Sequence, residues 1–137
     1  MATVGAMSIS QVAHEAGVRP STLRYYEEIG LLDPIPRAAN GHRRYSESDL
    51  RRVVLIKRLR LTGMSIERMI EFVALYRGGT STARQRRQIL QAHRETVQAR
   101  VDELLEMMGF IDYKIGLYQD EEAEYEREQK YEVSVVG

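Results

Sequence analysis

From residue 82 to residue 118 the sequence holds no proline, and its apolar residues recur in alternating steps of three and four. Leu90, Val97, Leu104, Ile111 and Tyr118 fill one heptad position, and Val101, Met108 and Ile115 fill the other, with Arg94 the polar exception. Such a pattern over roughly four heptads specifies a coiled-coil helix, about 55 Å long at 1.5 Å per residue. Gly109 and Gly116 lie off the seam and weaken the helix by about 1 kcal/mol each. A chain of 137 residues cannot bury so long a stripe against itself. The seam needs a partner helix, and the cheapest partner is a second copy. Leu90, Val97, Val101, Leu104, Met108, Ile111 and Ile115 are therefore the candidate dimerisation residues of a homodimer. The heptads leave parallel and antiparallel pairing open.

Ahead of the seam the chain is punctuated at short intervals. Ser8 to Gln11 has the form of a capping box, after which Ile9, Val12, Ala13 and Ala16 follow helical spacing until Gly17. Pro20 suits the first turn of a second helix, which runs to Ile29 and stops at Gly30. Two short helices joined by a tight turn make a helix-turn-helix. Leu31 to Tyr45 has no helical period and contains Pro34, Pro36, Asn40 and Gly41. Asn40-Gly41 is a tight-turn pair, since both residues tolerate positive φ. With Arg37 before it and His42, Arg43, Arg44 and Tyr45 after, the segment reads as a small β-hairpin, a wing with a basic tip. Ser46 to Asp49 is a second capping box, followed by Leu50, Val53, Val54 and Leu61 on one face until Thr62-Gly63. Ser65 caps a fourth helix with the stripe Ile66, Met69, Ile70, Val73 and Ala74, which Gly78-Gly79 ends. These stripes are core and carry no chemistry.

Composition removes several function classes. The chain has no cysteine, which excludes disulfides, thiolate metal sites and thiol chemistry. His14, His42 and His93 are isolated and sit on different elements, so no metal site is expected. There is no nucleophile–base–acid constellation and no glycine-rich phosphate loop, so the chain is read as no enzyme and as needing no cofactor. No apolar run approaches the ~20 residues that span a bilayer. Met1 to Ala6 lacks a secretory pattern, and a cytoplasmic location away from membranes is expected. Formal net charge is zero, yet residues 1–77 carry twelve basic and eight acidic residues, while residues 78–137 carry eight and twelve. One half is suited to a polyanion and the other is not. Eleven of the first twelve basic residues are arginine, the side chain that pairs two-pronged with phosphate and guanine.

The donors fall where a helix-turn-helix would use them. Ser21, Thr22, Arg24 and Tyr25 lie in the N-terminal half of the second helix, which enters a major groove. Leu23 and one of Tyr25 and Tyr26 should face inward. Arg43, Arg44 and Tyr45 are placed to follow the phosphate backbone. Arg51, Arg52, Lys57, Arg58 and Arg60 of the third helix are candidates for further phosphate contacts, Lys57 first among them. Beyond Tyr118 come Asp120, Glu121, Glu122, Glu124, Glu126, Glu128 and Glu132, with Tyr125 and Tyr131 between them. A solvated, partly ordered tail is expected there. The sharper alternative has Tyr118 and Tyr125 closing a ligand site or docking on a partner.

Four segments together resemble the MerR family of transcription regulators over about residues 7–118. They are Ile9 to Ala13, Thr22 to Glu27 with Gly30-Leu31-Leu32, Asn40 to Tyr45, and Leu61 to Ile66. The resemblance implies a mainly α fold: a winged helix-turn-helix with a small β-wing, and a long C-terminal helix paired as an antiparallel coiled coil. The domains are then residues 7–77, 82–118 and an acidic tail 119–137. It implies double-stranded promoter DNA and RNA polymerase as partners. The dimer would bind a pseudo-palindrome in the promoter spacer and distort it in response to an effector. By position, Arg24, Tyr25, Arg43 and Tyr45 would touch DNA.

Metal-sensing and redox members of the family use cysteines that are absent here, and with the sequence ending soon after the seam no large drug-binding domain is expected. Residues 69–76 and 110–118 are similar to the small branch linked to aldehyde and electrophile stress. Arg58 stands near the place of that branch's reactive cysteine. Leu105, Phe110, Tyr113 and Leu117 are apolar yet off the seam. They are the candidates, with Tyr76, for a small effector pocket against the partner's fourth helix; otherwise they pack the DNA-binding domain onto the long helix. The alternative function is an architectural or excision-type DNA-bending protein without a small-molecule effector, which the heptads disfavour.

Overall fold

Serine caps open three of the first four helices, and a proline opens the other. α1 (Ile9–Ala16) opens on Ser8, whose hydroxyl accepts from the Gln11 N–H while the Gln11 side chain accepts from the Ser8 N–H. It closes on Gly17 at φ 68, a left-handed position that glycine takes without strain. α2 (Pro20–Glu28) starts on a proline that has no N–H to leave unpaired. α3 (Glu47–Leu61) opens on a reciprocal box between Ser46 and Asp49. α4 (Ile66–Arg77) opens on the Ser65 hydroxyl. Each such cap contributes about 1 kcal/mol. A short 3-10 turn (Thr80–Thr82) leads into α5 (Ala83–Val136). The computed structural model describes residues 6–136; residues 1–5, read above for a secretory pattern, and residue 137 of the tail lie outside them. Among the described residues no helix is long and apolar enough to cross a membrane.

The chain divides into two compact units, one ending at His93 and the other beginning at Arg94. The first has a single core built from Val12, Ala13, Leu23, Tyr26, Leu31, Leu32, Ile35, Tyr45, Val53, Ile56, Met64, Met69, Phe72, Val73 and Ile89, with Ala16. Of the tyrosine pair, Tyr26 faces in and Tyr25 faces out. The expected stripes of α3 and α4 pack in or against this core through Leu50, Val53, Val54, Ile66, Met69, Ile70 and Val73, with one departure on each helix. On α3 the buried residues are Val53 and Ile56, while Leu61, in the last turn, is 75% exposed. On α4 Phe72 is buried and Ala74 is exposed, because the bulkier side chain takes the core.

The connection between α2 and α3 is tied down by charge. Asp33 accepts from Arg77 Nε at 2.7 Å and from Arg52 Nη1 at 3.2 Å, and Arg77 Nη2 donates to the Gly30 carbonyl at 2.8 Å. The Arg52 and Arg86 guanidinium groups each lie over the Tyr76 ring, at 5.0 and 5.3 Å. The wing itself is slighter than a regular hairpin. Its limbs meet at one bridge, Arg37 with Arg43, and its base is tied by the bridge of Met7 with Tyr45. Pro34 and Pro36 cannot donate to a ladder. The turn is a three-residue loop, Ala39 to Gly41, inside the Ala38 N–H to His42 carbonyl bond of 2.8 Å. Only Gly41 has positive φ, the left-handed third position of such loops.

The second unit is the rest of α5. The helix does not stop at Tyr118 but continues through the acidic segment to Val136. Residues 119–136 contain no glycine or proline and are rich in Glu, Gln, Lys, Arg and Ala. Their helix propensity outweighs the like-charge neighbours.

Lys57 is used otherwise than expected. Its ammonium group donates to the carbonyls of Ala16 and Gly17 at 3.1 and 2.9 Å, capping the C-terminus of α1 from α3. A cation there also meets the negative end of the α1 dipole. Lys57→Met should lower stability by about 1–2 kcal/mol and leave the salt dependence of nucleic-acid binding unchanged. Gly17→Ala, whose Cβ would press on the Lys57 ammonium, should cost about 1–2 kcal/mol for the left-handed backbone. Denaturant titration of both variants and the double variant checks this: the backbone loss at Gly17 should persist in the double variant, and only the part due to the contact of the Cβ with the Lys57 ammonium should be shared.

Candidate nucleic-acid interface

α2 buries one face and offers the other. Leu23 and Tyr26 are in the core; Ser21, Arg24 and Tyr25 are exposed and Thr22 is half-buried. A hydroxyl, a guanidinium and a phenol therefore stand on the outer face of one short helix. Tyr25 keeps 47% of its surface exposed and its ring lies 6.4 Å from that of Tyr26.

The wing brings further cations to the same side. A cleft of about 260 Å³ is lined by Ser8, Ile9 and Ser10 from the start of α1, Arg24 from α2, and Arg37, Gly41, His42 and Arg43 from the wing. Arg37 Nη1 donates to the Gly41 carbonyl at 2.9 Å, and Asn40 Oδ1 accepts from the His42 N–H at 3.0 Å. These bonds shape the tip of the turn. Arg43 Nε donates to Glu27 Oε1 at 2.9 Å, and Arg44 is exposed. Three arginines on one cleft form a concave cationic surface of the kind that takes a phosphodiester backbone. Arg37 was readable as a flank of the turn; the Ser8–Ser10 wall was not, because it is distant in sequence.

Tyr45 is a correction. It was expected on the wing's outer face, but it has no exposed surface. Side chains alternate across an extended segment, so Arg44 points out and Tyr45 in, where its backbone pairs both ways with Met7 at 2.8 Å. Its hydroxyl has no hydrogen-bond partner among the described residues. Burial pushes the Tyr45 phenol above the ordinary value of 10.0, partly opposed by the Arg43 charge. Tyr26 is raised too, again chiefly by burial.

The α3 basic residues divide. Arg52 is held by Asp33 and Tyr76. Arg60 Nη1 donates to the Met64 carbonyl at 3.2 Å, bracing the turn after α3. Arg51 and Arg58 are exposed. Tyr76 lines a second cavity of about 160 Å³ with Ser48, Arg51, Arg52, Leu55, Phe72 and Val73. Leu105, Phe110, Tyr113 and Leu117 are exposed residues of the other unit. In the single chain the seam residues Leu90, Val101, Leu104, Met108, Ile111 and Ile115 are also exposed, and Val97 is half-buried. Among the described residues no three His, Asp or Glu side chains are grouped to hold a metal ion.

Residues 7–74 match the model of the MerR HTH family regulatory protein, and residues 50–112 match that of MerR, DNA binding. The chain is 42% identical to the HTH-type transcriptional regulator AdhR of Bacillus subtilis, over 65% of this chain and 64% of that protein, so it spans under two thirds of that relative's length. A MerR family transcriptional regulator from Listeria monocytogenes has a similar structure: TM-score 0.78, 35% identity, 83% of this chain and 86% of that one. HiNmlR, a MerR family regulator lacking the sensor domain and solved bound to promoter DNA, gives TM-score 0.74 and 28% identity over 86% of this chain and 94% of that one.

Tyr45→Phe should leave binding to any duplex unchanged and should not destabilise the fold, because it removes a buried hydroxyl without a partner. The neutral phenols of Tyr26 and Tyr45 favour the folded state fully below pH 10, and this advantage is lost as pH rises above it. Thermal melts between neutral pH and pH 11 should show that alkaline loss, and Tyr45→Phe should reduce it.

Proposed function

The chain belongs to the MerR family of helix-turn-helix transcription regulators, and from that premise we propose that it binds a pseudo-palindromic operator in a promoter spacer as a homodimer and distorts it in response to an effector. One observation carries the reading: Arg24 of α2 and the wing residues Arg37 and Arg43 line one cationic cleft, beside the exposed Ser21 and Tyr25 of the same helix. That HiNmlR is bound to promoter DNA supports the same partner here. In this reading Ser21, Thr22, Arg24 and Tyr25 meet base edges and nearby phosphates. Arg43 and Arg44, with Arg37, hold the backbone. The protein acts in the cytoplasm, where promoter and RNA polymerase are, and catalyses no reaction. Its work is to shift DNA geometry.

Charge supports antiparallel pairing of α5. Residues 83–100 carry five arginines and one glutamate, while residues 119–136 carry seven acidic residues against two basic ones. This order opposes the helix's own dipole, which favours anions at its start and cations at its end. An antiparallel second helix sets acidic end against basic start; a parallel one stacks like on like. For the effector, the cavity beside Tyr76 supports a small molecule, with Leu105, Phe110, Tyr113 and Leu117 as candidates to complete its walls in the dimer.

Footprinting on the protein's own upstream region, with RNA polymerase present, tests the function. A protected palindrome between the promoter elements with a hypersensitive centre is expected; protection elsewhere would favour an architectural role instead. Arg24→Ala should lower affinity and reduce discrimination among operator variants by about 1–3 kcal/mol, read by competition binding. Leu104→Glu should place charge in the seam and give monomers at micromolar concentration on sedimentation.

A further inference from the structure

Glu27 stands in the last turn of α2, on the helix whose outer face is the candidate DNA-reading surface. A carboxylate is badly placed there on two counts. It sits at the negative end of the helix dipole, and it adds negative charge beside a surface suited to phosphates. Its bonds account for it. Oε1 accepts from Arg43 Nε at 2.9 Å, and Oε2 accepts from the Ile35 N–H at 3.3 Å. The two side chains are 22% and 21% exposed, shielded enough for the pair to hold its geometry. One carboxylate thus joins α2, the limb entering the wing and the limb returning from it.

The wing has little else of its own to hold it. Across its limbs run the bonds Ala38 N–H to His42 carbonyl and Arg44 N–H to Pro36 carbonyl, each 2.8 Å. So short a two-stranded element is not stable unaided. The Arg43 side chain also lines the cationic cleft. Because Glu27 engages Nε, and no other described residue bonds the side chain, both terminal amino groups of the guanidinium remain for a phosphate, which takes them as a two-pronged pair.

We infer that Glu27 is a positioning residue for DNA binding: it fixes the wing against α2 and presents the Arg43 guanidinium to a backbone phosphate. This rests on the DNA-binding reading above. A fixed guanidinium loses less freedom on contact than a free one, so the gain is in affinity for any sequence rather than in base choice.

The test is a double-mutant cycle on duplex DNA of unrelated sequences, at several salt concentrations, with full-length protein. Arg43→Ala should weaken binding about tenfold on every duplex and reduce the salt slope by about one. Glu27→Ala should do the same although it removes a negative charge. The double variant should be no weaker than the weaker single one. Glu27→Gln keeps an acceptor for the Ile35 N–H and should retain the fold, checked by thermal melting, with an intermediate loss. A Glu27 variant that binds more tightly, losses that add, or a loss with the salt slope unchanged would overturn the inference while leaving the interface intact. An Arg43→Ala variant that binds normally would overturn the wing's DNA role as well.

Discussion

An apolar stripe that its own chain does not cover constrains everything else in this protein. Leu104, Met108, Ile111 and Ile115 are about half-exposed on α5, and apolar surface left in water costs about 25 cal/mol per Å². The first unit has a complete core of its own. The stripe is therefore best buried against a second copy, and a two-fold protein suits a two-fold DNA site. Pairing would supply two copies of α2 and two wings, which is what gives a helix of nine residues enough contact to find a promoter.

The proposed DNA-facing surface is held by charged pairs at its edges. Asp33 ties the loop after α2 to α3 and α4 through Arg52 and Arg77, and Glu27 ties the wing to α2 through Arg43. Exposed ion pairs contribute little to stability. Their value here is geometric, because each fixes a segment that lacks a ladder or a helix of its own. Arg52 also packs on Tyr76, which carries Arg86 on its ring. The start of α5 is thus in contact, through one aromatic ring, with the residue that holds Asp33.

What could be read in the sequence was local. Ser8, Ser46 and Ser65 mark helix starts because a cap depends on residues three apart, and Gly17 marks an end because its backbone is left-handed. The long helix was legible because its apolar period is long and regular. Tyr45 was misread because one residue's shift along an extended limb exchanges its outer and inner faces. Lys57 was misread because a long amphipathic side chain can reach a carbonyl forty residues away in sequence as readily as a phosphate. Glu27 carries no local signal in the sequence, since its partners Arg43 and Ile35 are fixed only by the tertiary fold. The helical tail was obscured by acidic residues that suggest disorder by charge yet favour helix by propensity.

The most direct measurement is the number of chains bound to the protected promoter fragment, taken by sedimentation, and again on the same fragment cut at its centre. Two chains on the whole fragment are expected, with affinity for each half lower by about a hundredfold or more, because paired sites gain from being linked. One chain bound to a half fragment at full affinity would contradict the dimer on which the reading depends.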